Sequence, residues 1–369
     1  MMAKIPLVDL AAQHREVATQ VAAGFATVLE TTAFILGKAV KDFEDAYAEF
    51  VGAKHCIGVA NGTDALELAV RAIGIGRGDE VILPANTFIA TALAVARAGA
   101  TPVLVDCDPV YQLIDVAHVE RKITARTKAV IPVHLFGQMA PIERLGELPQ
   151  ARELAIVEDA AQSQGAARNG MQAGSVGVAA GTSFYPGKNL GAYGDAGAVT
   201  TNSDPIASRI RALRNYGSEL KYQHPESGFN SRLDTLQAVV LLAKLERLEQ
   251  WNEARRGAAA RYDEMLAGQA AVETPRTAPG NKHIFHLYVV RVPRRDEVLA
   301  KLNAEGIGAG IHYPVPIHLQ GAFKHLGHRR GDFPVAERAA DEILSLPLYP
   351  QITAEQQKRV ADALRKALG

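Results

Sequence analysis

Hydrophobic positions in the first 200 residues follow two alternating patterns. Short apolar, often β-branched runs predict strands at His55–Ala60, Glu80–Leu83, Pro102–Val105, Ala129–Val133, Leu154–Glu158, Thr182–Tyr185 and Ala198–Thr201. Between them apolar residues recur at helical spacing, as in Thr63–Ile73, where Leu66, Val70 and Ile73 share one face. Several strands are apolar throughout, which suits a sheet covered on both sides. This alternation with short loops predicts an α/β fold with a mostly parallel sheet.

The pattern changes at Asn230, where a long helix is predicted. Ser231 followed by Asp234 forms a capping signal, and Leu233, Leu236, Val240, Leu241, Leu245 and Leu248 keep one stripe as far as Trp251. A Pro/Gly/Thr-rich stretch over Glu273–Gly280 precedes a strand at Ile284–Val292. A helix at Asp296–Glu305, a short strand at Gly308–Tyr313 and an amphipathic helix at Ala354–Leu368 complete the reading. The expected division is a large α/β domain over 1–250 and a smaller α+β domain over 251–369, in keeping with roughly two domains for this length. No internal repeat or low-complexity tract interrupts either.

Composition narrows the function. Forty basic residues balance forty acidic ones, so the chain carries no electrostatic footprint for duplex nucleic acid or an anionic membrane. No uncharged apolar run reaches 18 residues, so no membrane span is expected. The start, Met1-Met2-Ala3-Lys4-Ile5-Pro6, soon meets Asp9, His14, Arg15 and Glu16, which reads as no signal peptide and a cytoplasmic protein. Two cysteines, Cys56 and Cys107, make neither a disulfide framework nor a four-thiolate zinc site, and both read as buried hydrophobes.

Three tempting motifs fail on context. Gly74-Ile75-Gly76-Arg77-Gly78 follows a helix and precedes a strand, the reverse of the dinucleotide-binding order, and reads as a turn. Gly187-Lys188 is followed by Asn189 where a P-loop needs Ser or Thr. His318, His325 and His328 lack metal-ligand spacing.

A firmer signal lies in the polar residues at strand ends, the edge where open α/β sheets bind ligands. The first strand runs into Asn61-Gly62-Thr63-Asp64, where Gly62 admits close approach, Thr63 is the expected N-cap and the helix start suits a phosphate. The fifth ends in Glu158-Asp159-Ala160-Ala161-Gln162, a carboxylate that is costly to bury without a cationic partner. Next comes Ser183-Phe184-Tyr185-Pro186-Gly187-Lys188, a lysine in a Gly/Pro loop with a hydroxyl five residues earlier. An anion-binding helix start, a buried aspartate and a lysine beside a serine are what pyridoxal phosphate requires: an amine for its aldehyde and a carboxylate for its ring nitrogen. Phe88, after the second strand, is placed to stack on such a ring. His134, after the fourth, reads as structural.

These motifs, together with Pro6-Leu7-Val8-Asp9-Leu10, Phe34-Ile35-Leu36-Gly37, Gly228-Phe229-Asn230-Ser231-Arg232-Leu233-Asp234 and His312-Tyr313-Pro314, resemble the DegT/DnrJ/EryC1/StrS sugar aminotransferases over nearly the whole chain. That family has the fold type I, aspartate aminotransferase-like architecture and uses pyridoxal 5'-phosphate. The resemblance implies that Lys188 bonds the cofactor aldehyde, Asp159 pairs with the pyridinium and Gln162 meets the ring hydroxyl. It gives Gly62, Thr63 and Ser183 to the phosphate, Phe88 to the ring face and Asn230 to the phosphate of a neighbouring subunit, hence a homodimer with shared sites. The implied reaction takes an amine from L-glutamate, leaving 2-oxoglutarate, and passes it to a nucleotide-linked keto sugar.

The segment Ile311–Gln320 is similar to members that aminate the 3-position of a dTDP-3-keto-6-deoxyhexose, and also to relatives acting on a UDP-3-keto sugar acid. Tyr185, Tyr216, His312, Tyr313 and His318 are the expected sugar and diphosphate contacts. A keto-inositol acceptor is the alternative within the family. A non-catalytic regulator is the alternative of another class.

Overall fold

The computed structural model describes residues 4–148, 154–220 and 222–369; Met1–Ala3, part of the expectation about the N-terminus, lie outside them. Its centre is a seven-stranded sheet. In chain order the strands are β1 (His55–Val59), β2 (Glu80–Pro84), β3 (Thr101–Val105), β4 (Thr127–Val130) and β5 (Ala155–Asp159). Two short strands, β6 (Ala167–Arg168) and β7 (Met171–Gln172), pair with each other, and β6 also with β10 (Asn281–Lys282), away from the main sheet. β8 (Ala179–Ser183) and β9 (Gly197–Thr201) complete the central seven, in the order β1-β9-β8-β5-β4-β2-β3. Every neighbouring pair is parallel except those made by β9, which runs against both β1 and β8.

Residues of β1 and β2 alternate between two buried layers, as the strand period of two requires. Ile57, Val59, Val81 and Leu83 pack with the helices Gly62–Ala72, Ile89–Arg97 and Asp204–Leu213. Cys56 turns to a layer with the helices Lys38–Val51 and Thr235–Leu245, while Ile82 joins Val105, Val130 and Val119. Cover on both faces explains the unbroken apolar strands. Both cysteines are free and buried.

A second core forms around the antiparallel pair β11 (Tyr288–Arg291) and β12 (Ile343–Leu346). Tyr262, Leu266, Leu302 and Leu364, from the helices Leu248–Leu266, Arg295–Ala304 and Ala354–Leu368, pack with Tyr288, Val290, Leu344 and Leu346. The last helix is capped by Thr353 and Gln356 in a reciprocal capping box.

Four sequence expectations are corrected. The long helix from Asn230 is two helices, Thr235–Leu245 and Leu248–Leu266, separated at Glu246–Arg247. Its expected first turn is tied down elsewhere: Asn230 bridges Asn215 in antiparallel fashion, and Ser231 Oγ donates to Asp64. Gly308–Tyr313 is no strand; it makes one bridge, Gly310 to Ser345. The strand at Ile284–Val292 shortens to Tyr288–Arg291 because Phe285 adopts φ 44°, which a ladder cannot accommodate. The residue capping the helix after β1 is Asn61, whose Oδ1 accepts from Asp64 N at 2.9 Å, and Thr63 lies inside that helix.

Candidate active site

A cavity of about 520 Å³ opens at the carboxyl ends of the parallel strands, within the range of small-molecule sites. The helix start after β1 brings Gly62 and Thr63 to its wall, the ends of β5 and β8 bring Asp159 and Ser183, the loops after β2, β5 and β8 bring Phe88, Gln162, Tyr185 and Lys188, and His312 and Tyr313 close another side. The sheet order places β8 beside β5, so the chain end of one presents Asp159 and the loop after the other presents Lys188.

At the helix start, Asn61 caps Asp64, and the N–H groups of Gly62 and Thr63 find no acceptor among the described residues. A Cβ built on Gly62 would lie 2.5 Å from Ser183 Cβ, so the glycine lets the helix end and β8 touch. Two open donors at a helix N-terminus beside a hydroxyl form a small anion cradle.

Asp159 is 5% exposed. Its Oδ2 accepts from Thr91 Oγ at 2.7 Å and its Oδ1 from Ala161 N at 3.2 Å. Burial raises its pKa, and the bonds from Thr91 and Ala161, with Lys188 near, only partly offset this. Lys188 is pushed down to about 8 by burial, against the pull of Asp159. Its side-chain amine makes no hydrogen bond among the described residues, and the loop is held through the bond from Lys188 N to Tyr185 O at 2.8 Å. The site therefore pairs a buried carboxylate lacking a full set of partners with an amine that deprotonates near neutrality. Such an amine can serve as nucleophile and proton carrier.

Gln162 is clamped: its Oε1 accepts from Phe136 N at 2.7 Å and its Nε2 donates to Tyr313 OH at 2.9 Å. Phe88 is half-exposed at the mouth, its ring 5.1 Å from that of Tyr313. His312 Nδ1 meets Ser345 Oγ at 2.8 Å, and burial followed by Lys188 lowers its pKa to about 4. It is therefore a neutral imidazole at physiological pH.

Three expected residues lie apart from the cavity. His318 is buried against Phe333 and bonds Glu337 at 2.9 Å, so its ring serves packing rather than the pocket. Tyr216 is exposed with Arg232 5.3 Å over its ring, and Asn230 is exposed beside it; neither lines the cavity of its own chain. His134 is structural, donating from Nε2 to Glu158 while Nδ1 accepts from Ala140 N.

Sequence reasoning missed Thr91, Asp195 and His286. Thr91 sits one turn into a helix, Asp195 on the loop before the antiparallel strand and His286 in the second core's approach to the cavity, none at a parallel strand end. It also missed Lys244, which is 2% exposed, donates to Gly191 O at 2.6 Å and lies 4.7 Å over the Tyr193 ring. The apolar stripe of its helix hid that lysine.

Comparison with known proteins places the chain among enzymes of one kind. The model of the DegT/DnrJ/EryC1/StrS aminotransferase family matches residues 16–365. A dTDP-3-amino-3,4,6-trideoxy-alpha-D-glucose transaminase of Streptomyces venezuelae is 45% identical over 363 residues, 98% of this chain and 96% of that protein. A protein of Geobacillus stearothermophilus named pleiotropic regulatory protein is 46% identical over 362 residues, 98% of this chain and 97% of its own. The crystal structure of S. venezuelae DesV in complex with a ketimine intermediate superimposes with a TM-score of 0.97 at 45% identity, covering 99% of this chain and 98% of that one. The chain belongs to the DegT/DnrJ/EryC1/StrS aminotransferase family.

Proposed function

We propose that the protein transfers an amino group from L-glutamate to the 3-keto carbon of a dTDP-linked 6-deoxyhexose, using pyridoxal 5'-phosphate held in the cavity. The observation that carries this is the meeting of Lys188 and Asp159 in one pocket beside the Gly62–Ser183 cradle. The residues fit the cofactor. Buried Asp159 has no cationic hydrogen-bond partner among the described residues, which suits a protonated pyridine nitrogen, and the open N–H groups of Gly62 and Thr63 suit its phosphate. When bound, the cofactor supplies an aldehyde that takes up an amine and a ring that draws electrons from the adjacent carbon.

In this reading Lys188 is the residue bonded to the aldehyde, and Asp159 keeps the ring nitrogen protonated. Gly62, Thr63 and Ser183 orient the phosphate, Phe88 covers the ring and Gln162 faces its hydroxyl. The Lys188 amine would carry the proton that leaves the substrate carbon, a task its lowered pKa suits. Arginine could not do this, since it keeps its proton near neutrality. Tyr185, His312 and Tyr313 line the remaining space for the sugar.

The exposed Asn230 and Tyr216 are assigned to the shared site of a homodimer, and the chain to the cytoplasm; among the described residues no helix is long and apolar enough to cross a membrane. The division into 1–250 and 251–369 is supported by the separate core around β11 and β12, with Ile5 packing into that core and Ile317, Phe323, Phe333 and Ala336 packing into the first.

The test loads the protein with the amine form of the cofactor and offers dTDP- and UDP-linked 3-keto sugars. Return of the aldehyde absorbance with a dTDP-3-keto-6-deoxyhexose is expected, and Lys188→Ala should abolish it while leaving the circular dichroism spectrum intact. A preference for a UDP-linked sugar acid would redirect the substrate assignment. Protein that neither colours with the cofactor nor bleaches on borohydride would favour the regulatory alternative suggested by the Geobacillus relative's name.

A further inference from the structure

Behind the Lys188 loop lies a buried polar network that the proposed reaction leaves unused. Asn189, the next residue, is 1% exposed. Its Nδ2 donates to Asn252 Oδ1 at 2.8 Å and to the Ile284 carbonyl at 3.2 Å. A carbonyl only accepts, so both hydrogens of that nitrogen are used and the amide's orientation is set. Asn189 Oδ1 is then an acceptor, and its partner at 3.2 Å is His286 Nδ1. That ring nitrogen must carry a hydrogen. A neutral imidazole has one N–H, which leaves Nε2 as a bare acceptor.

His286 lines the same cavity as Lys188. Its Nε2 makes no hydrogen bond among the described residues and is not one of the fully enclosed atoms left without a partner, and the residue lines the cavity. On the other side stands Arg255, 1% exposed, whose Nη1 donates to the carbonyls of Phe285, His286 and Leu348 at 3.1–3.4 Å. The hydrogen bonds of this guanidinium among the described residues all go to carbonyls, and its Nε and Nη2 are buried without partners. Burial, then Lys188, Arg255 and His312, holds His286 well below the usual histidine pKa. The charged groups around the ring thus oppose its protonation, while Asp159 is the carboxylate that faces Lys188.

We propose that His286 is a positioning residue for Lys188: with its tautomer set by Asn189, its bare Nε2 is the acceptor to which the Lys188 amine, unbonded in this structure, turns when it carries a proton in the cavity. This role rests on Lys188 being the cofactor-bonding amine. Nearness alone would not give it, because a histidine in the other tautomer would present an N–H to the amine instead of a lone pair.

The test separates the two ring nitrogens. His286→Asn keeps an N–H for Asn189 and removes the acceptor, whereas His286→Gln supplies an amide oxygen near the position of Nε2. In the full-length cofactor-free protein, Lys188 is titrated by competitive acetylation with acetic anhydride, read by mass spectrometry of its peptide. His286→Asn is expected to lower the Lys188 midpoint by about half a pH unit, because losing an acceptor disfavours the ammonium. That makes the amine about threefold more reactive below its pKa. His286→Gln should restore at least half of the shift. Asn189→Ala, which frees the tautomer, should move the midpoint the same way by less. In the loaded enzyme, kcat of His286→Asn should fall about tenfold with KM for the keto sugar unchanged. An unmoved midpoint in His286→Asn, or equal shifts in the Asn and Gln variants, would overturn the role and leave the proposed reaction standing. A wild-type protein that never bonds pyridoxal phosphate at Lys188 would overturn both.

Discussion

Glu158 and Asp159 are consecutive carboxylates at the end of one strand, and the pleat sends them to opposite sides of the sheet. Glu158 is saturated: it accepts from His134 Nε2 and from the backbone N–H groups of Gly174, Val176 and Gly177, all at 2.7–2.8 Å. Burial works to raise its pKa, but those bonds outweigh it and leave the carboxyl below its ordinary value. Asp159 has two donors, no backbone cage and a cavity in front of it, and burial wins. Equal burial of two acids thus yields a finished structural joint on one side and an unfinished binding group on the other. What separates them is the count of donors. The same holds for the buried lysines: Lys188 and Lys244 are both lowered to about 8 by burial, but Lys244 donates to a carbonyl while Lys188 faces open space.

The largest expected effect comes from removing the charge on the unfinished side. Asp159→Asn should cut transamination by roughly a hundredfold or more while leaving stability nearly unchanged, because the lost group stabilises charge during the reaction and little else. Steady-state turnover and a urea melt together check this; an unchanged rate would mean that another group serves the ring nitrogen. Glu158→Gln should do the reverse, destabilising by about 2–4 kcal/mol as an amide meets four donors in a buried cage.

The acid limb gives a sign to the same contrast. A depressed carboxyl stabilises above its unfolded pKa and loses that contribution as pH falls through the folded value; a raised one stabilises below its unfolded pKa and loses it as pH rises through the folded value. Acidifying the cofactor-free protein should therefore weaken it at Glu158 and strengthen it at Asp159. Glu158→Gln should flatten the acid-side loss.

The smallest effect is expected at Lys244→Met, with activity within about threefold of wild type, since buried charges are often replaced by apolar groups at little cost. With the native lysines lowered from 10.5 to about 8, the unfolded chain binds more protons in that interval, so stability should climb with pH across it. The methionine variant should show a shallower climb in urea midpoints.

The α/β layering was legible because strand periodicity and the apolar layers agree, and Asp159 and Lys188 stood out as chemistry at strand ends. The rest depended on contacts across the chain. Nothing local distinguishes His318, which packs on Phe333, from His312, which faces the cavity. Thr91 and His286 matter only once folding brings them to Asp159 and Asn189. The helix predicted from Asn230 failed because tertiary bonds at Asn230 and Ser231 outbid local propensity.

The bridge between Gly310 and Ser345 has a consequence for how such a protein diversifies. It moors the wall bearing His312 and Tyr313 to the second core, whereas Asp159, Ser183 and Lys188 issue from the first. Substitutions at His312 can alter which acceptor enters while Asp159 and Lys188, which make no hydrogen bond to that wall, keep their places; Tyr313, bonded to Gln162 and with its ring beside that of Phe88, joins the two parts. Selection can then act on preference and on chemistry through separate parts of one chain.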